Sequence, residues 1–368
     1  MSDNVYLADL NTNPEYNLLD KLERIIEQSG IFDNLQPYDK VAIKLHFGEP
    51  GNTAYVRPIF VRKLVSIIKK REAFPFLTDC STLYNGRRSS AIGHIEAALE
   101  NGFGYTSVNA PLIIGDGLIG DNCHTALVDF KHFKEVSYGK EIHDADYLLS
   151  VAHFKGHEMS GFGGAIKNIG MGAASKKGKL AMHSSACPKT NDDLCEGCGR
   201  CLPWCPAKAL TMPGNTVKLN SEFCLGCGEC IAICPHGAIN IVWNESIHNF
   251  QEKMVEYTKA IVDDKSGKVG FINFLTDISP ECDCYPYNAS PLVPDIGVIC
   301  GTDLVQIDQA SVDLVNQAPC NPNSRIAGKP HADNDKFRAA FPNIDWGIQL
   351  DYAQELGLGS REYTIKKV

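Results

Sequence analysis

The 368-residue sequence is short of positive charge: 35 Lys and Arg stand against 44 Asp and Glu, a formal net charge of −9. Proteins that coat nucleic acid carry a basic excess, so this balance argues against such a role. Long apolar runs are also lacking, and none approaches the roughly 20 residues that a membrane span needs. The opening segment MSDNVYLADLNTNPEYN has neither the cationic nor the apolar region of a secretion signal, so the expected compartment is the reducing cytoplasm. Two nucleotide motifs are missed narrowly. Gly161, Gly163 and Gly164 fall short of G-x-G-x-x-G because Ile166 stands at the third glycine. The run from Gly172 to Gly178-Lys179-Leu180 has one residue too many for a P-loop and no Ser or Thr after the lysine. Neither a dinucleotide nor a nucleoside triphosphate is expected. What remains, 44% hydrophobic and 21% charged residues, suits one large globular domain or two modest ones.

Cysteine is the residue in excess, with 15 in the chain. Eight lie within forty residues, as Cys195, Cys198, Cys201 and Cys205 before Pro206, and Cys224, Cys227, Cys230 and Cys234 before Pro235. Each run reads C-x2-C-x2-C-x3-C-P, and the second follows the first at an offset of 29 with no gap. A duplicated supersecondary unit with a pseudo-two-fold axis is expected. Three thiolates at i, i+3 and i+6 in a tight loop reach three corners of one cubane, and Gly197, Gly199, Gly226 and Gly228 relieve the crowding. The fourth cysteine of each run crosses to the other cluster. Two [4Fe-4S] clusters are thus expected, one on Cys195, Cys198, Cys201 and Cys234, the other on Cys224, Cys227, Cys230 and Cys205. Zinc sites pair two C-x2-C units across a longer spacer, which fits this register poorly.

Outside the repeat, short apolar runs alternate with amphipathic ones. Strands are expected at 5–10, 40–47, 74–79, 111–116, 146–154, 268–277 and 295–301, and helices at 15–29, 58–71, 88–101, 245–262 and 303–317. In the third helix Ala91, Ile92, Ile95, Ala98 and Leu99 form one stripe. This alternation predicts an α/β host domain with a largely parallel sheet. The host would run over 1–187 and 244–368, with a two-cluster ferredoxin-like insert at 188–243. From Asn321 onward the chain reads as irregular covering structure before a last amphipathic stretch.

Ligands of open parallel sheets sit beyond the carboxyl ends of the strands. His46 and Glu49, Asp79 and Cys80, His153, Lys155 and His157, Asp277 and Asp303 all fall at such ends. The glycine turn at Gly161, Gly163 and Gly164 feeds a short helix carrying Lys167 and Asn168, an arrangement that offers backbone N–H groups to an anion. A pocket for an anionic small molecule or redox substrate is therefore placed near Lys155, His157 and Lys167. His153 and His157, at i and i+4, are either metal ligands or loop histidines satisfied by the backbone. Of the remaining cysteines, Cys80, Cys123, Cys187, Cys300 and Cys320 read as small core residues. Cys282 and Cys284 form a C-x-C pair in a turn-rich loop, open to a third metal, with Cys300 or Cys320 nearby, or to dithiol chemistry.

The segments VAIKLHFGEPGNTAYVRP, FLTDCSTLYNGRRSSAIGHIEAALENGF, HFKGHEMSGFGGAIKNIGMG and CDCYPYNASPLVPDIGVICGTDLVQIDQASVDLV, taken with the eight-cysteine repeat, resemble a widespread family. Its members are bacterial and archaeal iron–sulphur-centre proteins classed as a domain of unknown function. The resemblance covers nearly the whole chain. It implies two [4Fe-4S] clusters, an α/β host and a redox role, and it singles out His46, Asp79, His157, Lys167, Asn168, Cys282, Cys284, Asp295 and Asp303 as recurring positions. Three functions stay open on the sequence. The first is an iron–sulphur oxidoreductase or oxidoreductase subunit, with candidate catalytic residues His46, Asp79, Lys155, His157 and Lys167 and a redox partner protein as donor or acceptor. The second is a non-enzymatic electron carrier with a docking domain. The third is a metal- or cluster-handling protein using the spare Cys and His.

Overall fold

A computed structural model describes residues 4–84, 86–184, 187–205, 207–224, 228–242 and 244–368. Of the positions singled out above, Pro206, Gly226 and Cys227 lie outside the described residues, as does Trp243, where the insert was expected to end.

Seven strands form the main sheet: β1 (Asn4–Asp9), β2 (Lys40–Lys44), β3 (Phe74–Thr78), β4 (Tyr147–His153), β5 (Val269–Leu275), β6 (Gly297–Gly301) and β7 (Thr364–Lys367). Their order is β7-β1-β6-β5-β4-β2-β3. β5, β4, β2 and β3 run parallel, as do β7 and β1, while β6 runs against both neighbours. Every residue of β4 and β5 is buried, because helices cover both faces of the sheet.

Those helices are α1 (Leu18–Ser29), α2 (Pro58–Lys69), α3 (Ala91–Glu100), α4 (Ala165–Gly170), α5 (Lys176–His183), α6 (Ile247–Asp264), α7 (Leu304–Gln317) and α8 (Gly347–Glu355). The period of two along the strands sorts the core into two layers. Ile43, Leu149, Val151, Ile272 and Phe274 pack with α1, α2 and α3, whereas Ala42, Leu148, Phe271 and Leu275 pack with α4, α6, α7 and α8. Local signals set the helix ends: Asn17 caps α1 by accepting from Leu19 N and Asp20 N, and Pro58 starts α2 where no N–H partner is needed.

The cysteine repeat lies between α5 and α6 in the chain. Leu210–Thr211 pairs with Lys218–Leu219, and Ile239–Asn240 pairs with Lys189–Thr190, both antiparallel. Leu210↔Leu219 becomes Ile239↔Thr190 when the first partner moves forward and the second moves back by the offset of 29, so the duplication extends to the pairing with its two halves exchanged. Its small apolar core holds Cys201, Cys230, Cys234, Leu210, Val217 and Ile239, together with Leu83 and Leu180 from the large part.

Several expectations need correction. Residues 111–116 form no strand; Leu112 makes a lone bridge to Leu77, since Pro111 lacks an N–H and a turn begins at Gly115. The stripe on α3 is rotated: Ile92 is 63% exposed and Leu99 49%, while the fully buried face is His94, Ala97 and Ala98. A histidine at the centre of a buried face defeats a pattern that counts it as polar. The tail is not irregular throughout, for it supplies α8 and the edge strand β7. A hairpin of Cys123–Leu127 and Glu135–Gly139 went unread.

Candidate functional site

Beyond the carboxyl ends of β2, β3, β4 and β5 lies a cavity of about 600 Å3. β2 contributes Lys44 and, just past its end, His46; β3 leads into Asp79, Cys80, Leu83 and Tyr84; β4 leads into Lys155 and His157; the loop after β5 brings Cys282 and Cys284. Helices α4 and α5 add Lys167, Asn168, Lys179 and His183. The cavity thus sits where β2 turns to β3 on one side and meets β4 on the other, the expected place in a parallel sheet.

Cations dominate its wall. Lys44, Arg88, Lys155, Lys167 and Lys179 face it, against the carboxylates of Asp79 and Glu158. Lys44 Nζ lies 3.0 Å from Asp79 Oδ1 and donates to Asn168 Oδ1 at 3.0 Å. A Cβ at Gly172 would stand 2.4 Å from Lys44 Nζ, so glycine makes room for that ammonium. Burial alone would raise the Asp79 pKa, but Lys44 and then His94, Lys179 and Arg88 outweigh it and hold the carboxyl low. Lys44 itself is pushed below the ordinary lysine value, because it loses more to burial than Asp79 restores. Arg88 donates to Glu49 at 2.7 Å and to Tyr84 Oη at 2.6 Å, and Tyr84 donates to the Cys284 carbonyl at 3.2 Å. Glu49 therefore braces the wall from behind.

The histidines are held neutral. His46 accepts Gly48 N–H at Nδ1 (2.9 Å), and His157 accepts Met159 and Ser160 N–H at Nδ1 (3.2 Å each), so each carries its proton on Nε2. Burial, then the surrounding cations, pushes both well below the usual histidine value. His183 is held to about 3 for the same reasons.

Cys282 and Cys284 differ from each other although two residues apart. Lys167 Nζ lies 3.3 Å from Cys282 Sγ, and Cys284 N–H donates to the same sulphur at 3.5 Å. The hydrogen bond from the Cys284 thiol, followed by Lys167 and Lys155, brings Cys282 well below the usual thiol value against the cost of burial. Cys284 is pushed well above it, first by that same bond and then by burial. Lys167 stays protonated: burial alone would lower it, but Cys282, Cys284 and Glu158 raise it.

Other predicted site residues do structural work. His153 and His157 do not share a metal: His153 Nδ1 meets Asp283 Oδ1 at 2.7 Å and its Nε2 faces the Thr276 carbonyl at 2.9 Å. The glycine turn before α4 takes no outside anion, because Asp308 fills the helix N-terminus, accepting Ala165 N–H at 2.7 Å and Ile166 N–H at 2.9 Å. Asp303 caps α7 through Val305 N–H and Gln306 N–H, and Asp295 accepts Asp277 N–H beside Arg57. None of Asp277, Asp295 and Asp303 lines the cavity. Cys300 is core and Cys320 is half-buried, and neither joins Cys282 and Cys284 at the cavity wall. Cys123 and Cys187 are half-buried too, not core. Sequence reasoning passed over Lys44, Leu83, Tyr84, Arg88, Lys179 and His183. Lys44, a lysine closing the run VAIK in a buried strand, was the one legible signal.

At the repeat, Cys195, Cys198, Cys201 and Cys234 line one pocket, so the last cysteine of the second run reaches the first three of the first. Gly197 has φ 65° and its missing Cβ would meet Asn215 O at 2.5 Å, which lets the loop wrap closely. Backbone N–H groups aim at sulphur from Val217 to Cys195 (3.3 Å), Ala209 to Cys205 (3.2 Å) and Ala238 to Cys234 (3.2 Å). The last two bonds are again related by the offset of 29. Among the described residues, no three His, Cys, Asp or Glu side chains stand close enough to grip a single ion. Four cysteines around one pocket, with backbone N–H groups aimed at Cys195 and Cys234, have the donor chemistry that a [4Fe-4S] cluster takes. No helix among the described residues is long and apolar enough to cross a membrane.

Two solved structures are similar at low identity. One is the lactate racemase apoprotein from Thermoanaerobacterium thermosaccharolyticum, with 13% identity over 69% of this chain and 49% of that one, and a TM-score of 0.36. The other is a protein from Thermotoga maritima, with 10% identity, 82% of this chain, 59% of that one and a TM-score of 0.45. The chain thus spans about half the length of the first and under two thirds of the second. No curated protein matches it in sequence. The family profile described as "Domain of unknown function (DUF362)" matches residues 41–313, and the chain belongs to that family.

Proposed function

We propose that this chain is an iron–sulphur electron-transfer protein, an oxidoreductase or oxidoreductase subunit, in which the cysteine repeat serves a reaction site in the cavity. One observation carries the reading: the cavity and the apolar core of the repeat share a side chain, Leu83. A Cβ at Gly228, in the second cysteine loop, would lie 3.1 Å from Leu83 Cδ1. Cys195, Cys198, Cys201 and Cys234 would hold one [4Fe-4S] cluster and Cys205, Cys224, Cys227 and Cys230 the other, as two ferredoxin-like halves. When bound, such clusters supply one-electron transfer at potentials set by burial and by hydrogen bonds to sulphur.

The chain's own groups do the rest. Cys198 is exposed, which gives a redox partner protein a point of approach, while Gly228 of the second run lies against Leu83 of the cavity wall. In the cavity, Lys155, Lys167 and Lys179 attract and orient an anionic small molecule. His46 and His157, neutral with Nε2–H, are placed to donate hydrogen bonds to it. A carrier with a docking domain has no use for so large a cationic cavity. A metal-handling role loses support because His153 is engaged at both ring nitrogens.

The test is anaerobic purification of the full chain with iron and sulphide analysis and low-temperature EPR. About eight of each per chain are expected, and Cys198→Ala should remove about half. An iron content unchanged by that substitution, or near zero in the wild type, overturns the reading.

A further inference from the structure

We propose that Cys282 and Cys284 are a redox-active dithiol in the cavity wall, cycling between a thiolate–thiol pair and an internal disulphide, and that its oxidant is an anionic disulphide. The inference rests on the preceding reading only for the source of the resetting electrons.

The backbone brings the pair within bonding reach. Tyr285 N–H donates to the Cys282 carbonyl at 3.1 Å, closing a turn over Cys282–Tyr285. In such a turn residues i and i+2 lie within the Cα separation that a disulphide spans. Asp283, between them, is wholly buried and faces away from the cavity, tied to His153 at 2.7 Å and Lys155 at 3.2 Å, while its carbonyl accepts Glu49 N–H at 3.0 Å. The turn is thereby pinned from behind with both thiols on the cavity side.

The pair is also polarised. Lys167 and the Cys284 N–H both address Cys282 Sγ, so Cys282 is the thiolate and Cys284 the protonated, resolving thiol. Cys80, also in the cavity wall, contrasts with them: its S–H donates to the Ala173 carbonyl at 3.3 Å, and burial raises its pKa well above the usual value. A metal is the poorer occupant, since among the described residues no third ligating side chain joins the two sulphurs. The cations of the cavity select a negatively charged reactant.

The step balances. The Cys282 thiolate attacks one sulphur of the substrate disulphide, forming a mixed disulphide and releasing one thiolate. Cys284 loses its proton to solvent water and attacks Cys282 Sγ, forming the internal disulphide and releasing the second thiolate. Two electrons, delivered singly from iron–sulphur donors, and one proton then restore the Cys282 thiolate beside Lys167 and the Cys284 thiol.

The experiment treats the full chain, kept anaerobic, with the dianionic probe dithiobis(2-nitrobenzoate), followed by iodoacetamide and peptide mass spectrometry. The peptide carrying both cysteines should emerge two hydrogens lighter and unalkylated. At pH 6, Cys282 should react at least about tenfold faster than the half-buried Cys320, and Lys167→Gln should remove most of that advantage. Cys284→Ser should stop the reaction at a mixed disulphide on Cys282. The proposal is overturned if Cys282 reacts no faster than Cys320, if no internal disulphide forms, or if the cationic disulphide cystamine reacts as fast as the dianion. Iron analysis of the same sample separates the two readings: a disulphide without iron sinks only the iron–sulphur reading, and full iron without a disulphide sinks only the dithiol.

Discussion

The cysteine repeat takes its candidate ligands from forty consecutive residues and arranges them with backbone: tight glycine loops, two short ladders and N–H groups aimed at sulphur. The cavity takes its wall from residues 44 to 286 and arranges it with side chains, chiefly buried ion pairs and carboxylates that hold loops in place. The first design is carried by spacing and fails one ligand at a time. The second depends on partners far apart in the chain, so losing one leaves another charge stranded in the interior.

Three substitutions probe that contrast. Asp283→Ala should have the largest effect, about 3–5 kcal/mol, because it strands Lys155 and removes the partner of His153. Urea unfolding followed by circular dichroism measures it, and the iron content of the folded protein should stay at the wild-type level. The pKa of Asp283 is held down to about 2: burial alone would raise it, but His153 and Lys155 prevail. Its contribution is therefore complete above the unfolded value of 3.8 and is lost as pH falls towards about 2.

Leu83→Ala comes next, at about 2–4 kcal/mol for a buried leucine. Because Leu83 belongs to both regions, scanning calorimetry should show one transition in the wild type and two in the variant. A single, merely shifted transition would show that the regions are joined mainly elsewhere.

Asp308→Asn should have the smallest effect and the opposite pH signature. Burial raises Asp308 to about 6, above the 3.8 of an ordinary carboxyl. Its contribution is full below the lower value and is lost as pH rises through the upper one, by about 3 kcal/mol at most. Urea midpoints at pH 4.5 and 7 should differ less in the variant than in the wild type.

The same contrast explains what could be read from the chain. The cysteine register, the α/β class, the strand-end positions of His46, Asp79, Lys155 and His157, the helix position of Lys167 and the loop pair Cys282 and Cys284 were legible, and the last seven side chains do meet at one cavity. They were legible because strand ends in a parallel sheet converge whatever their partners are. Arg88 and Lys179 were not, since each looks like a solvated charge until Glu49, or the carbonyls of Ser81 and Ala174, are seen to enclose it. Asp303 was taken for a site residue and Asp308 was passed over for one reason. A carboxylate that caps a helix and one that faces a ligand have the same local sequence, and only the tertiary fold says which N–H groups lie in front.

The sheet also imposes an order on synthesis. β4 ends at His153 and β5, its parallel neighbour, starts at Val269, with the cysteine repeat between them. At roughly 5–20 residues per second, the apolar edge of β4 waits on the order of ten seconds for its partner to leave the ribosome. The repeat closes both of its ladders between Lys189 and Asn240 and needs nothing that follows. A nascent chain can therefore close its thiol-rich module while the larger sheet is still half made and one edge of β4 is still unpaired.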